Sequence, residues 1–211
     1  MHRKPFARLS LALAFAVAAP VAMAQQIPVT DFAKHGELNE VALSPTGEYI
    51  AMAVPSLDGK ETNLQIVKLA DGSTVKTLRF GQESHVINLV WTDDDQLAME
   101  RARRWPGEEF PRTMGQVMAT NITGDKQRTL FAYVLDDGTK RGRNKDTGSA
   151  FISGTVDTEP GKVLVRYYCW RSYCGEDPDS VVFKVDSRTG VRQEIERLKD
   201  GDVESGFVYD H

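Results

Sequence analysis

Asn39-Glu40-Val41-Ala42-Leu43-Ser44-Pro45-Thr46-Gly47-Glu48-Tyr49-Ile50-Ala51-Met52-Ala53-Val54-Pro55 reads as two extended runs around one tight turn. Ser44-Pro45-Thr46-Gly47 suits a type I turn, because proline presets the second position and glycine is favoured at the fourth. The runs Asn39 to Leu43 and Tyr49 to Pro55 are therefore expected to pair as a hairpin. Apolar and polar residues alternate poorly in Tyr49 to Val54, which is the pattern of a strand whose sheet is covered on both faces. The same unit continues through Asn63 to Leu69, the turn Ala70-Asp71-Gly72-Ser73, and Thr74 to Phe80.

The unit then recurs. His85 to Trp91, the turn Thr92-Asp93-Asp94-Asp95, Gln96 to Arg103, Gly115 to Ile122, the turn Thr123-Gly124-Asp125, and Lys126 to Tyr133 form a second copy. A third runs from Ser149 to Val156 through Asp157-Thr158-Glu159-Pro160-Gly161 to Val163 to Trp170, then Ser180 to Asp186, Ser187-Arg188-Thr189-Gly190, and Val191 to Glu196. Four short antiparallel strands per unit, at a period of roughly fifty residues, is how a β-propeller blade reads in sequence. The expected fold class is all-β: an incomplete β-propeller of three four-stranded antiparallel blades, at 38–80, 85–133 and 149–196, plus the first strand of a fourth at 205–211. Residues 25–37 form a lead-in to the array, and the polar stretch Val134 to Gly148 reads as the crossover between the second and third blades.

A hydrophobic content of 41% in 211 residues does not choose a fold class. The first 24 residues are distinct: Arg3, Lys4 and Arg8 precede an apolar run from Leu9 to Val21 and a small-x-small end at Ala22-Met23-Ala24. This is the pattern of a secretory signal peptide cut between Ala24 and Gln25, too short for a membrane span. Cleavage would remove three basic and no acidic residues and leave 23 basic against 30 acidic, a net charge of −7 with histidine neutral. An exported acidic domain of this kind is expected neither to bind nucleic acid nor to sit on an anionic membrane after cleavage. The expected location is the periplasm or the medium.

Export sets the redox context for the only two cysteines, Cys169 and Cys174, which are expected to form a local disulfide between the second and third strands of the third unit. A loop this short contributes about 2 kcal/mol in the chain-entropy model. A zinc site would need further ligands, and no histidine lies between His85 and His211.

The search for chemistry yields no catalytic residue and no cofactor site. No serine stands in a G-x-S-x-G elbow. The candidate bases of the mature chain are His35, in the lead-in, His85, at the start of a strand, and the terminal His211. Gly161-Lys162 has no upstream glycine at P-loop spacing. Asp93-Asp94-Asp95 reads as turn chemistry, since it lacks the glycine and distal glutamate of a calcium loop. Asn121-Ile122-Thr123 matches the glycosylation sequon. Two mixed clusters, Arg101-Ala102-Arg103-Arg104-Trp105 and Gly107-Glu108-Glu109-Phe110, are expected on the second unit's central connection. There the arginines could meet a carboxylate and Glu108 and Glu109 an amine.

Ala42-Leu43-Ser44-Pro45-Thr46-Gly47-Glu48-Tyr49-Ile50-Ala51 resembles the L-S-P-D-G-x-x-I-A blade motif of the TolB-type and prolyl oligopeptidase-type propellers, with Thr46 in place of the usual aspartate. Gly115 to Asp125 is similar to the G-E-L-Y-A-x-N-x-D-G strand and turn of exported bacterial members, and Val182 to Gly190 to their V-Y-x-V-D-x-x-T-G. Together these resemble the N-terminal propeller of a prolyl oligopeptidase-family serine peptidase of the dipeptidyl or acylaminoacyl type. The resemblance implies a propeller that gates and positions short peptides for a C-terminal α/β-hydrolase domain. That domain and the remaining blades would be the partners of this chain. It also implies that Glu108 and Glu109 correspond to a glutamate pair that anchors the peptide amine, although the flanking motif differs. A TolB-like periplasmic propeller that binds another protein is the alternative.

Overall fold

A computed structural model describes residues 40–133, 146–176 and 179–198. The proposed signal peptide and its cleavage site, the lead-in, His35, most of the 134–148 connection, and the strand expected at 205–211 with His211 lie outside these residues.

Three four-stranded antiparallel sheets follow one another along the chain. The first contains β1 (Glu40–Leu43), β2 (Tyr49–Pro55), β3 (Thr62–Lys68) and β4 (Thr74–Leu78). The second contains β5 (Ser84–Asp93), β6 (Gln96–Arg103), β7 (Arg112–Asn121) and β8 (Arg128–Phe131). The third contains β9 (Gly148–Thr155), β10 (Lys162–Cys169), β11 (Ser180–Asp186) and β12 (Arg192–Leu198). Each is a meander in sequence order, every strand paired with the next. One helical turn, α1 (Arg171–Cys174), interrupts the β10 to β11 connection. No helix among the described residues is long and apolar enough to cross a membrane.

The turns explain the strand ends. Gly47 N–H donates to Ser44 O at 2.9 Å, and glycine accepts the φ of +72° there at no steric cost. The Ser44 hydroxyl, buried in the turn, accepts Tyr49 N–H at 3.0 Å and fixes the Leu43 to Ile50 register. Asp71 Oδ1 accepts both the N–H and the hydroxyl of Ser73, closing the next turn in the same sheet. Some bounds differ from the sequence expectation. β7 begins at Arg112 rather than Gly115, because Arg103 pairs with Arg112 and a bulge after Arg101 absorbs the extra residues. β8 stops at Phe131 and β12 extends to Leu198.

Two apolar layers separate the sheets. Ala51, Ala53, Leu64, Ile66 and Leu78 of the first sheet meet Val86, Leu89, Trp91, Leu97, Met99 and Met118 of the second. On the opposite face of the second sheet, Ala98, Val117, Ala119 and Phe131 meet Ala150, Ile152, Val163, Val165 and Val185 of the third. β6 alternates between these layers, with Leu97 and Met99 on one side and Ala98 on the other, and it is buried from Gln96 to Ala102. Burial on both faces is why polar and apolar residues do not alternate along it. Gly115 lets the second and third sheets approach closely, since a Cβ there would stand 2.6 Å from that of Ser149.

Candidate functional site

The connections from second to third strand run over 56–61, 104–111 and 170–179, the last described at 170–176 and 179. Four large exposed apolar side chains sit on them: Leu57 on the first, Trp105 and Phe110 on the second, Tyr173 on the third. This set of loops is the candidate site, and it contains the clusters singled out in the sequence.

The 104–111 connection is built by a turn in which Glu108 N–H donates to Trp105 O at 3.0 Å, with Gly107 at φ +88°. Glu108 and Glu109 do not stand there as an equivalent pair. Glu108 Oε1 is ion-paired with Arg112 at 2.9 Å and its other oxygen is buried, whereas Glu109 is exposed. The arginines are dispersed as well. Arg101 belongs to β6, is 9% exposed, and donates to Phe80 O and the Ser84 hydroxyl. Arg104 pairs with Glu83 at 3.1 Å. Arg103 is exposed and lies over the Trp105 ring at 4.8 Å. The expectation of one arginine cluster on the loop is thus corrected: side chains alternate along a strand, so neighbours at 101 and 104 end in different surroundings.

On the third connection the sulfurs of Cys169 and Cys174 are joined, with Cα atoms 6.0 Å apart, across the turn that includes α1. Two aromatic rings of this turn meet Tyr133, which follows β8. Tyr133 lies 4.8 Å from Trp170 and 6.4 Å from Tyr173 between centroids, and the two tyrosine hydroxyls are 3.3 Å apart. Trp170 Nε1 donates to the Ser149 hydroxyl at 3.0 Å. Below it is a cavity of about 340 Å³ lined by Tyr167, Val181, Phe183 and the two cysteines, with the Asp179–Arg197 ion pair on its wall. Sequence reading passed over this cluster; the Trp170-Arg171-Ser172-Tyr173 run between the cysteines was its only local signal.

His85 is buried between the first two sheets, with Nδ1 2.9 Å from the Thr62 hydroxyl. Burial holds its pKa below the ordinary imidazole value, and Arg104 adds to that depression. A base beside a hydroxyl has the chemistry of an activated nucleophile, but Thr62 is 1% exposed, so no substrate reaches it. The pair joins sheets instead.

The acidic run does more than turn the chain. Arg188 from the third sheet's last turn donates to Asp93 Oδ2 at 2.7 Å and to Asp95 Oδ1 at 2.5 Å. No group of three His, Cys, Asp or Glu side chains suited to a metal occurs among the described residues. Asn121 spends its side-chain amide inside its own turn, on Thr123, Asp125 and Lys126 N–H.

No described protein family matches the chain, and no curated protein does. Solved structures do. A protein described as a conserved lipoprotein from Clostridium novyi NT aligns at 13% identity and TM-score 0.41, over 80% of this chain and 90% of that one. A functionally unknown protein from Desulfotomaculum acetoxidans DSM 771 aligns at 11% identity and TM-score 0.29, over 78% and 56%. The dihydro-heme d1 dehydrogenase NirN, in complex with DHE, aligns at 14% identity and TM-score 0.26, over 77% and 38%.

Proposed function

We propose that this chain is the non-catalytic propeller portion of an exported serine peptidase of the prolyl oligopeptidase type, in which it gates and positions short peptides for a hydrolase domain elsewhere in the intact enzyme. The observation that carries the reading is the way the first strands of successive sheets are joined. Both carboxylate oxygens of Glu40 on β1 accept backbone N–H groups of Asn88 and Leu89 on β5, at 2.7 and 2.8 Å. Asn88 Nδ2 donates to Glu100 Oε1 at 2.7 Å, and the same oxygen accepts Ile152 N–H of β9 at 2.7 Å. Meanders linked through their first strands, each sheet packed on the next, are what neighbouring propeller blades would require, and this supports the reading. The blade motif at Ala42 to Ala51 supports the family assignment, and the motif falls on the β1 to β2 hairpin.

In this reading the loops at 56–61, 104–111 and 170–179 face the peptide path. Glu109 is the acidic residue there that meets a peptide amine, Glu108 being engaged by Arg112. Acyl transfer would occur at a serine outside the 211 residues, so selection by size and terminus is the contribution of this part. The test is to express the reading frame to its natural stop and compare it with the 211-residue chain on chromogenic dipeptidyl and acylaminoacyl substrates. Turnover by the longer product alone, lost on replacing the serine of a G-x-S-x-G element, is expected. Hydrolysis by the 211-residue chain, abolished by one of its own serines, overturns the reading. A frame that stops with no such element overturns it in favour of a protein-binding propeller.

A further inference from the structure

The face of the third sheet that packs on the second is filled over only part of its length. Val165 and Val185 are fully buried there, and Val165 stands in register with Phe183. Phe131, where β8 ends, meets Tyr167 and Phe183 with ring centroids 5.7 and 5.8 Å apart. On the same face Tyr167 pairs with Val181, and Val181 with Arg197, so β10, β11 and β12 each contribute one side chain beside those rings. Here the cavity of about 340 Å³ remains open, within the size range of small-molecule sites. Two rings, Val181 and the Cys169–Cys174 bridge make its lining largely apolar, and Asp179 and Arg197 stand at its wall. The charge of that wall is not balanced. Arg197 donates to Asp179 at 3.0 Å and, through Nε and Nη2, to both oxygens of Glu194 at 2.8 and 2.7 Å. One guanidinium held by two carboxylates has no unmatched charge to offer an anion, and the three groups together carry −1. On the connection itself the exposed Arg171 and Glu176 cancel.

We propose that this cavity binds a primary amine carried on an aromatic ring, the ring against Tyr167 and Phe183 and the ammonium at Asp179. The lining rings favour an aromatic body, which packs against them edge-on or offset. The excess carboxylate selects the other end: an ammonium gains a charge-assisted hydrogen bond there, whereas a carboxylate of the same size meets like charge. Two sources carry this chemistry, a free arylalkylamine and the amino-terminal aromatic residue of a peptide. The inference does not rest on the peptidase reading.

Phenethylamine titrated calorimetrically into the chain should bind saturably at one site, and 3-phenylpropionate, close to it in size and opposite in charge, should not. Asp179→Asn should weaken phenethylamine by about tenfold or more while leaving the far-ultraviolet circular dichroism unchanged. Thr147→Phe, which fills the cavity from its other side, should abolish binding. Asp157→Asn, an exposed carboxylate at the opposite end of the third sheet, should leave the affinity as it was. Phenylalanyl-glycinamide presents the same ring and ammonium on a peptide: tighter binding than phenethylamine assigns the site to peptide amino termini, weaker binding to free amines. Absence of saturable binding by both amines overturns the proposal and leaves the peptidase reading where it stood. So does equal binding of amine and carboxylate, or binding indifferent to both Asp179→Asn and Thr147→Phe.

Discussion

The two junctions between sheets are built differently. Between the first and second sheets the layer is made of large side chains, with Trp91, Leu97, Met99, Leu64 and Ile66 at its centre. Between the second and third, Ala98, Ala119, Ala150 and several valines surround Leu130, Phe131 and Ile152, with Tyr167 and Phe183 packed against them. That junction is rimmed by polar clasps. Thr92 Oγ1 and Ser187 Oγ are 2.8 Å apart, Ser187 Oγ also donates to Gly161 O, and Arg188 reaches Asp93 and Asp95. At the outer strands Arg192 lies across the Phe131 ring at 3.5 Å, pairs with both oxygens of Asp146 and donates to Leu130 O. The lesson is that both junctions join an apolar layer to polar links, buried ones from Glu40 and His85 at the first and rim clasps that include ion pairs at the second. Volume is non-directional and tolerant of salt, whereas clasps depend on ionisation and registration.

If that contrast is right, the largest loss should come from Trp91→Ala, which empties the first junction and removes the Nε1 bond to Ala42 O and the contact with Tyr49. About 3–5 kcal/mol is expected from denaturant unfolding. A loss no greater than that of a surface change would break the comparison.

Glu100 comes next. Burial raises its carboxyl pKa, the Glu40 charge adds to this, and the bonds from Asn88 and Ile152 N–H oppose it. Glu100→Ala leaves Ile152 N–H without its acceptor and Asn88 Nδ2 with Ile152 O alone, and should cost about 1–3 kcal/mol. Glu100→Gln keeps the acceptor oxygen and should be at least as stable as the parent at neutral pH. The sign follows from the raised pKa. The folded chain holds the proton longer than the unfolded one, so this group's contribution falls as pH rises from the ordinary glutamate value through the folded one. Equal losses in the two variants would show that the side chain matters by volume rather than by its oxygen.

His85 gives the opposite slope. Its folded pKa is depressed below 6.5, so the unfolded chain takes up the proton first. Stability due to neutral His85 is complete above that value and is lost as pH falls from it toward the folded pKa. The unfolding midpoint should therefore fall on mild acidification in the parent and fall less in His85→Gln. Identical slopes in the two proteins would place the sensitivity elsewhere.

The smallest effect is expected at the rim of the second junction. Arg188 and Asp95 are about half exposed, so Arg188→Ala should cost less than about 1 kcal/mol, and the difference should shrink with added salt. A large, salt-independent loss would mean that the clasp bears on the junction's core.

The sheets were legible because each rule involved is local. Ser44-Pro45-Thr46-Gly47 must turn, Tyr49 to Pro55 must extend, and the spacing of the next turn sets the next strand. The site was legible only in part. Glu108 and Glu109 are adjacent in sequence and therefore looked like a pair, but the partner of Glu108 is Arg112 on the far side of a turn. Arg101 lay inside the expected strand Gln96 to Arg103 yet was grouped with the loop arginines, and β6 places it against Phe80 and Ser84. Asp94 and Asp95 form the turn expected there, whereas Thr92 and Asp93 belong to β5, and nothing local announced Arg188, ninety-three to ninety-five residues away.

By itself, then, the amino-acid order determined the repeat, the antiparallel meander and the places where the chain turns, because backbone preference and side-chain period act over a few residues. Only the tertiary structure decided which face of each sheet is sealed and which charge meets which. Those outcomes depend on chain segments brought together across whole repeats: Leu43 and Trp91 hold the same place in their hairpins, yet Trp91 is buried against the first sheet while Leu43 is exposed.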